Sequence, residues 1–415
     1  MTTGLRPVHG MARGPRWRPA VSLLLALVVG ACGSSQPADS GAVVPAASAT
    51  ASGSAFPTPT AAGPPTVTPP TPTATPTPSS PAGGPGDTPP SGPTPSLKGL
   101  DGTLQAQLAS AVRRLHLPGV QATIALADGE TWSGAAGIAD QRTGRLMTTA
   151  DVFDVGSITK TFVAADVMRL VESGAMQLDD PLSRWLPRYP NAAHITLREL
   201  LSHTSGIADY FANGKLLGEL GAAPRRTWLP AALLPFVGKA VFPPGKGWSY
   251  SNTNFLLLGE VVEAATGRPL GDELGASFLA PLGLRATALQ AGTLAAPAPD
   301  LGPLAHPYQR VAGAKVVYRD LGDGSGYLPF TSLATALGSA GSMVSTSSDL
   351  ARWGLQLYGG RLLQPGSLVA MEDTAISASY HPAFDYGLGT QALAIDTFPS
   401  YGHGGACSGY RADLR

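Results

Sequence analysis

Residues 98–415 predict a single mixed α/β unit. Three observations carry that reading: two alternating apolar runs early in the segment, helical apolar periodicity through its middle, and a strand-like run near its end. In order, Leu104–Leu115 has the spacing of an amphipathic helix. Val120–Ala127 and Thr131–Ile138 alternate like paired strands around the turn Asp128-Gly129. Phe162, Val163, Met168, Leu170 and Val171 fall on a helix that Gly174 is placed to terminate. The stretch around Leu200, Phe255–Val262 and Leu350–Leu357 also read as helical, and Tyr386–Ile395 reads as one strand. No internal repeat is visible.

The first 97 residues read differently. Arg13, Arg16 and Arg18 precede the short apolar run Val21–Val29, and Gly30-Ala31 lead into Cys32. Nine apolar residues fall well below the roughly 20 a spanning helix needs, so residues 1–31 are expected to be a secretory leader. Val29-Gly30-Ala31-Cys32 resembles a bacterial lipobox. The resemblance implies cleavage before Cys32 and its lipidation, which ties the chain to the membrane, outside the cytoplasm and facing the cell wall. Residues 33–97 hold 17 of the 39 prolines, and Asp39 and Asp87 are the charged residues among them. Pro-Thr repeats such as Pro57-Thr58-Pro59-Thr60 form neither helix nor packed sheet. Residues 32–97 are therefore expected to be an extended spacer.

Formal net charge is zero and no basic stripe is present, which argues against nucleic acid as a partner. The two cysteines, Cys32 and Cys407, and the seven histidines show no zinc-type spacing, so no metal is expected. With Cys32 lipidated, Cys407 is expected to be a small core residue outside any intramolecular disulfide.

Three short motifs carry chemistry. In Gly156-Ser157-Ile158-Thr159-Lys160 the lysine lies one helical turn beyond the serine, on the same face. A serine hydroxyl needs a base, and a desolvated lysine supplies one because burial disfavours its charged form. In Tyr250-Ser251-Asn252, after the turn Phe242-Pro243-Pro244-Gly245, the tyrosine can carry a proton and the asparagine can donate to a substrate carbonyl. In His403-Gly404-Gly405-Ala406 the glycines let a substrate backbone approach a strand edge. The backbone N–H groups of Ala406 and Ser157 are expected to form an oxyanion hole. His203 is expected to serve the loop backbone rather than the chemistry.

Together and in this order the motifs resemble those of the penicillin-recognising serine hydrolases, and the wider chain resembles the class C β-lactamase-related family. Ile195-Thr196-Leu197-Arg198-Glu199-Leu200-Leu201-Ser202-His203-Thr204-Ser205-Gly206-Ile207, Pro281-Leu282-Gly283-Leu284 and Ala340-Gly341-Ser342-Met343-Val344-Ser345-Thr346 carry that likeness. The Tyr-Ser-Asn-Thr-Asn stretch, Asp209-Tyr210 and the histidine of the third motif are most similar to D-alanyl-D-alanine carboxypeptidases. The resemblance implies an α+β fold, an antiparallel sheet flanked by helices plus an all-helical subdomain, with the active site between them. It implies acylation of Ser157, with Lys160 as base and Tyr250 as proton shuttle. Asn252 would bind substrate, and His403 would bind a carboxylate or tune Tyr250. No cofactor is implied.

The expected function is D-alanyl-D-alanine carboxypeptidase-type cleavage of peptidoglycan peptides by a monomer, with peptide or β-lactam as substrate. An esterase or weak β-lactamase on the same site, and a non-catalytic cell-wall or penicillin-binding lipoprotein, are the alternatives. Two departures bear on this. Gly404 and Ala406 lack the hydroxyls that relatives use to hold a carboxylate, and Tyr386–Gln391 holds no basic residue to replace them. The sequence also ends ten residues after Gly405, where relatives continue with further strands and a helix. On that count the strand bearing His403 is expected to be an exposed edge, and the chain as written to fold poorly or lack activity.

Overall fold

A computed structural model of the chain describes residues 24–30, 96–291, 301–311, 316–380, 382, 384–395 and 398–415. Cys32 and residues 33–95 of the expected spacer lie outside the described residues.

Strands β2 (Gly119–Ala125) and β3 (Thr131–Asp140) pair antiparallel from Gly119↔Gly137 to Ala125↔Thr131. The turn between them is closed by Gly129 at φ +96° and by Asp128 Oδ1, which accepts the Glu130 N–H at 2.9 Å. Glu130 also accepts the Leu97 N–H at 2.7 Å, which fastens the start of the folded part. Helix α1 (Asp101–Leu115) lays Leu108 over Val120, Ala122 and Trp132. The opposite face of β2 meets a later helix through Thr123 and Ser347, whose hydroxyls lie 2.9 Å apart. With both faces covered, β2 is buried along nearly its whole length.

The main sheet continues through β4 (Arg145–Leu146) on one side and β10 (Asp385–Tyr386), β11 (Gln391–Ile395), β12 (Phe398–Cys407) and β13 (Tyr410–Leu414) on the other. Its order is β10-β11-β12-β13-β1-β2-β3-β4, where β1 is Leu24–Gly30. A small sheet of β5 (Phe153–Asp154), β9 (Met343–Ser345) and β6 (Ala288–Leu289) lies beside the nucleophile turn, and β7 (Tyr308–Val311) pairs with β8 (Val317–Asp320).

Helix α2 (Thr159–Glu172) is buried from Thr159 to Met168 and forms the centre of the molecule. Gly174 at φ +77° follows its last turn, as the sequence predicts. Helix α3 (Leu197–Leu201) starts on a reciprocal cap in which Thr196 and Glu199 satisfy each other's backbone N–H. Helix α4 (Asn252–Thr266) stops at Gly267, φ +69°, and helix α5 (Ser347–Leu357) starts on Thr346. Phe162 stacks on Trp353 at 3.8 Å between ring centres, inside the large core that joins α2, α4 and α5. Each such fully buried side chain contributes roughly 1.5–3 kcal/mol. Among the described residues no helix is long and apolar enough to cross a membrane.

Two expectations are corrected. Tyr386–Ile395 is not one strand: Gly387–Thr390 turns the chain, with Gly389 at φ +70°, so β10 and β11 form a hairpin. The strand bearing His403 is not an edge either. Within β12, Gln391↔Gly402 begins the pairing with β11 and His403↔Leu414 the pairing with β13. Leu24–Gly30, which overlaps the run read as the core of a leader, forms β1 between β2 and β13, from Leu24↔Ala125 to Gly30↔Gly119 and from Ala26↔Leu414 to Val29↔Arg411. A leader core and a central strand both require a short, unbroken apolar run, so composition does not separate the two roles.

Candidate active site

Ser157 sits in a single 3₁₀ turn, Gly156–Ile158, that runs directly into α2. Gly156 has φ +52°, a conformation glycine adopts freely, and a Cβ there would lie 2.7 Å from the backbone nitrogen of Ala406. Its N–H donates to buried Asp154 at 2.8 Å. The turn thus presses against β12, which brings the Ser157 and Ala406 backbones side by side.

Lys160 is fully buried, and its Nζ has three partners: Ser157 Oγ at 3.0 Å, Asn252 Oδ1 at 2.8 Å and the Ala340 carbonyl at 2.5 Å. Asn252 Oδ1 and the carbonyl can only accept. In the neutral amine they take both N–H bonds, which leaves the lone pair for the Ser157 hydroxyl proton. Burial lowers the Lys160 pKa to about 7, against an upward pull from Asp209. An appreciable fraction is therefore amine at neutral pH.

Tyr250 lies beside Ser157, and Lys160 Nζ lies 4.9 Å from its ring centre. Burial holds its hydroxyl well above the ordinary phenol range. Tyr250 therefore stays protonated and is not a standing phenolate. Asn252, at the start of α4, donates from Nδ2 to Asp209 Oδ2 at 2.9 Å. His203 adopts φ +62°, and its Nδ1 accepts the Ser251 N–H at 3.2 Å. Its ring centre lies 4.3 Å from that of Tyr250. It supports the loop that carries Tyr250 and Asn252.

His403 is buried, and both ring nitrogens are engaged inside the protein. Nε2 lies 3.1 Å from the Tyr386 hydroxyl and Nδ1 lies 2.6 Å from the Gly404 carbonyl. That carbonyl can only accept, so Nδ1 carries the proton and Tyr386 donates to Nε2. Burial lowers the His403 pKa to about 3, so the ring is neutral. Gly405 packs against the nucleophile turn, where a Cβ would fall 1.9 Å from the Val155 carbonyl oxygen. At Gly404 the nearest atoms to a Cβ would be 3.6–3.9 Å away. Cys407 is buried, as expected of a core residue.

The structure brings Ser157, Lys160, Tyr250 and Asn252 into contact, seats Ala406 against them, and turns His403 toward Tyr386. Sequence reasoning missed four groups. Asp209, the Ala340 carbonyl and Tyr386 are reached only through tertiary contacts. Arg415 is the basic residue that the Tyr386–Gln391 stretch lacks. Its guanidinium donates to Gln391 Oε1 at 3.2 Å, the same oxygen that accepts the Gly404 N–H at 2.9 Å, and pairs with Asp413 at 2.9 Å. A cavity of about 770 Å³ lies elsewhere, lined by Trp185, Tyr189, Leu234 and Val237 among others. Its lining includes Ser205, Ile207 and Ala208 but not Ser157.

A hydroxyl hydrogen-bonded to a buried amine on the next helical turn, beside a phenol, is the arrangement of a serine hydrolase. The Beta-lactamase family model matches residues 101–414, and the chain belongs to that family. It is 30% identical over 321 residues to Penicillin-binding protein 4 of Amycolatopsis lactamdurans, covering 72% of this chain and 77% of the relative. It is 36% identical over 199 residues to Esterase EstB of Burkholderia gladioli, covering 45% of this chain but only 50% of the esterase. The structure resembles a D-stereospecific amidohydrolase from Streptomyces sp. with TM-score 0.61 and 32% identity, over 76% of this chain and 93% of that one.

Proposed function

We propose that this hydrolase cleaves amide bonds at the carbonyl of a D-amino-acid residue. The carrying observation is the 3.0 Å contact between Lys160 Nζ and Ser157 Oγ, with both hydrogens of the neutral amine already accepted elsewhere. In the acylation step Ser157 Oγ bonds to the substrate carbonyl carbon while Lys160 takes its proton. The oxyanion is received by the N–H groups of Ser157 and Ala406. Tyr250 passes a proton to the departing amine, and water later releases the acyl group from Ser157.

The carboxypeptidase form of this reaction must also recognise a carboxylate on the leaving group. Arg415 beside Gly404 favours it; the engagement of His403 with Tyr386 and the absence of hydroxyls at 404 and 406 favour a plain amidase or esterase. The likeness to the D-stereospecific amidohydrolase from Streptomyces sp. supports a D-stereospecific amide substrate. The test is a matched panel: a D-alanyl-D-alanine peptide, a D-amino-acid amide, its L-enantiomer and a nitrophenyl ester, with Ser157→Ala as control. Equal rates on D- and L-amides, or turnover by Ser157→Ala, would refute the proposal.

We also propose that Cys32 is lipidated and tethers the domain outside the membrane, in support of which stand the arginine-flanked apolar run and the Val29-Gly30-Ala31-Cys32 motif. That role excludes β1 in the same molecule, because processing removes Leu24–Gly30. Mass spectrometry of the N-terminus of membrane-extracted protein separates the two: a diacylated Cys32 supports the tether, and an intact Leu24–Gly30 refutes it.

A further inference from the structure

Asp209 lies in the loop after His203, opposite the start of α4. Its two carboxyl oxygens do different work. Oδ1 accepts the Phe211 N–H at 3.0 Å and caps the short turn Tyr210–Ala212. Oδ2 accepts Asn252 Nδ2 at 2.9 Å. A carboxylate can only accept, so this contact forces the NH₂ end of the Asn252 amide toward Asp209 and the oxygen end toward Lys160, 2.8 Å away. With the amide reversed, an N–H donor would face the lysine and compete with the lone pair that Ser157 needs.

We propose that Asp209 is a positioning residue of this active site: it fixes which end of the Asn252 amide meets Lys160. The groups around the Lys160 amine come from four segments. His203 and His403 are held neutral by burial, and Tyr250 and Tyr386 are held as phenols. Asp209 is the anionic member of this set, and it raises the Lys160 pKa against the larger effect of burial. It therefore leaves a smaller fraction of Lys160 as free amine in exchange for a correctly oriented amide.

The test uses Asp209→Ser, which keeps an oxygen to cap Phe211 but removes the charge and the reach to Asn252, with Asp209→Asn as a second variant. Lys160 is titrated directly by NMR of 13Cε-labelled lysine, its signal assigned by loss in Lys160→Met, so this readout does not depend on the substrate. The expected result is a Lys160 midpoint displaced to lower pH by about 0.5 or more in both variants. Acylation is followed with a labelled β-lactam in a double-mutant cycle with Asn252→Ala. Asp209→Ser is expected to slow acylation about 10–100-fold when Asn252 is present and less than about 2-fold when it is absent, because residues that act through one another are non-additive. An unmoved Lys160 midpoint, or additive losses in the cycle, overturns the proposal. A failed wild-type acylation with a displaced midpoint counts against the substrate reading alone.

Discussion

Replacing Gly405 by alanine tests the oxyanion geometry at a single atom. The added Cβ would sit 1.9 Å from the Val155 carbonyl oxygen, whereas real Cβ contacts essentially never fall below 3.0 Å. Strand β12 or the nucleophile turn must then move by at least 3.0 − 1.9, about 1.1 Å. The turn has little freedom, because the Val155 N–H is bonded to the Met343 carbonyl at 3.0 Å and Gly156 to Asp154 at 2.8 Å. The strand moves instead and carries the Ala406 N–H away from Ser157. A misplacement of about 1 Å costs on the order of 100-fold in rate, and overpacking costs about 1–3 kcal/mol of stability. Gly404→Ala, one residue away, meets its nearest atoms at 3.6 Å and is the matched control. The assay is the second-order rate of Ser157 acylation by a fluorescent penicillin or nitrophenyl ester, with melting temperature recorded for each variant. Gly405→Ala within about threefold of wild type would refute the packing argument, as would equal losses in the two variants.

Three further outcomes follow from the described geometry. The acylation rate should rise with pH through about 7, as Lys160 becomes an amine, and then stay level well past pH 9, because Tyr250 holds its proton far higher; a pH profile of kcat/KM checks both limbs. Asp166 is buried on α2, neither of its carboxyl oxygens has a hydrogen-bond partner, and burial raises its pKa to about 7 from the ordinary 3.8. The folded chain then binds more protons than the unfolded chain between those values, so Asp166 makes stability fall as pH rises from about 4 to 7, by up to about 4 kcal/mol. Asp166→Asn should flatten that fall in urea melts at pH 5 and pH 8. Asp151 is fully buried against Arg145 at 2.5 Å and also accepts the Thr148 N–H at 2.7 Å. Asp151→Ala should cost about 1–3 kcal/mol in the same melts, because the donors it leaves are partly reached by solvent.

The sequence by itself determined what depends on neighbours along the chain. Ser157 and Lys160 meet because one helical turn brings i and i+3 together, whatever surrounds them. Asp128-Gly129 closes a hairpin and Gly174 and Gly267 end helices because local backbone preference decides those points. Only the tertiary structure decided what depends on groups far apart in the chain. The Ala340 carbonyl and Asn252, which accept the hydrogens of the Lys160 amine and so aim its lone pair at Ser157, come from 180 and 92 residues away. Asp209 finds Asn252 across 43 residues, and Tyr386 takes the His403 nitrogen that the motif alone suggested was open to substrate. The run Leu24–Gly30 carries the same apolar signal for a leader and for a central strand, so only pairing with β2 and β13 gives it the second role. Local geometry is written in adjacent residues; proton affinity and hydrogen-bond direction are set by whatever the fold packs against them.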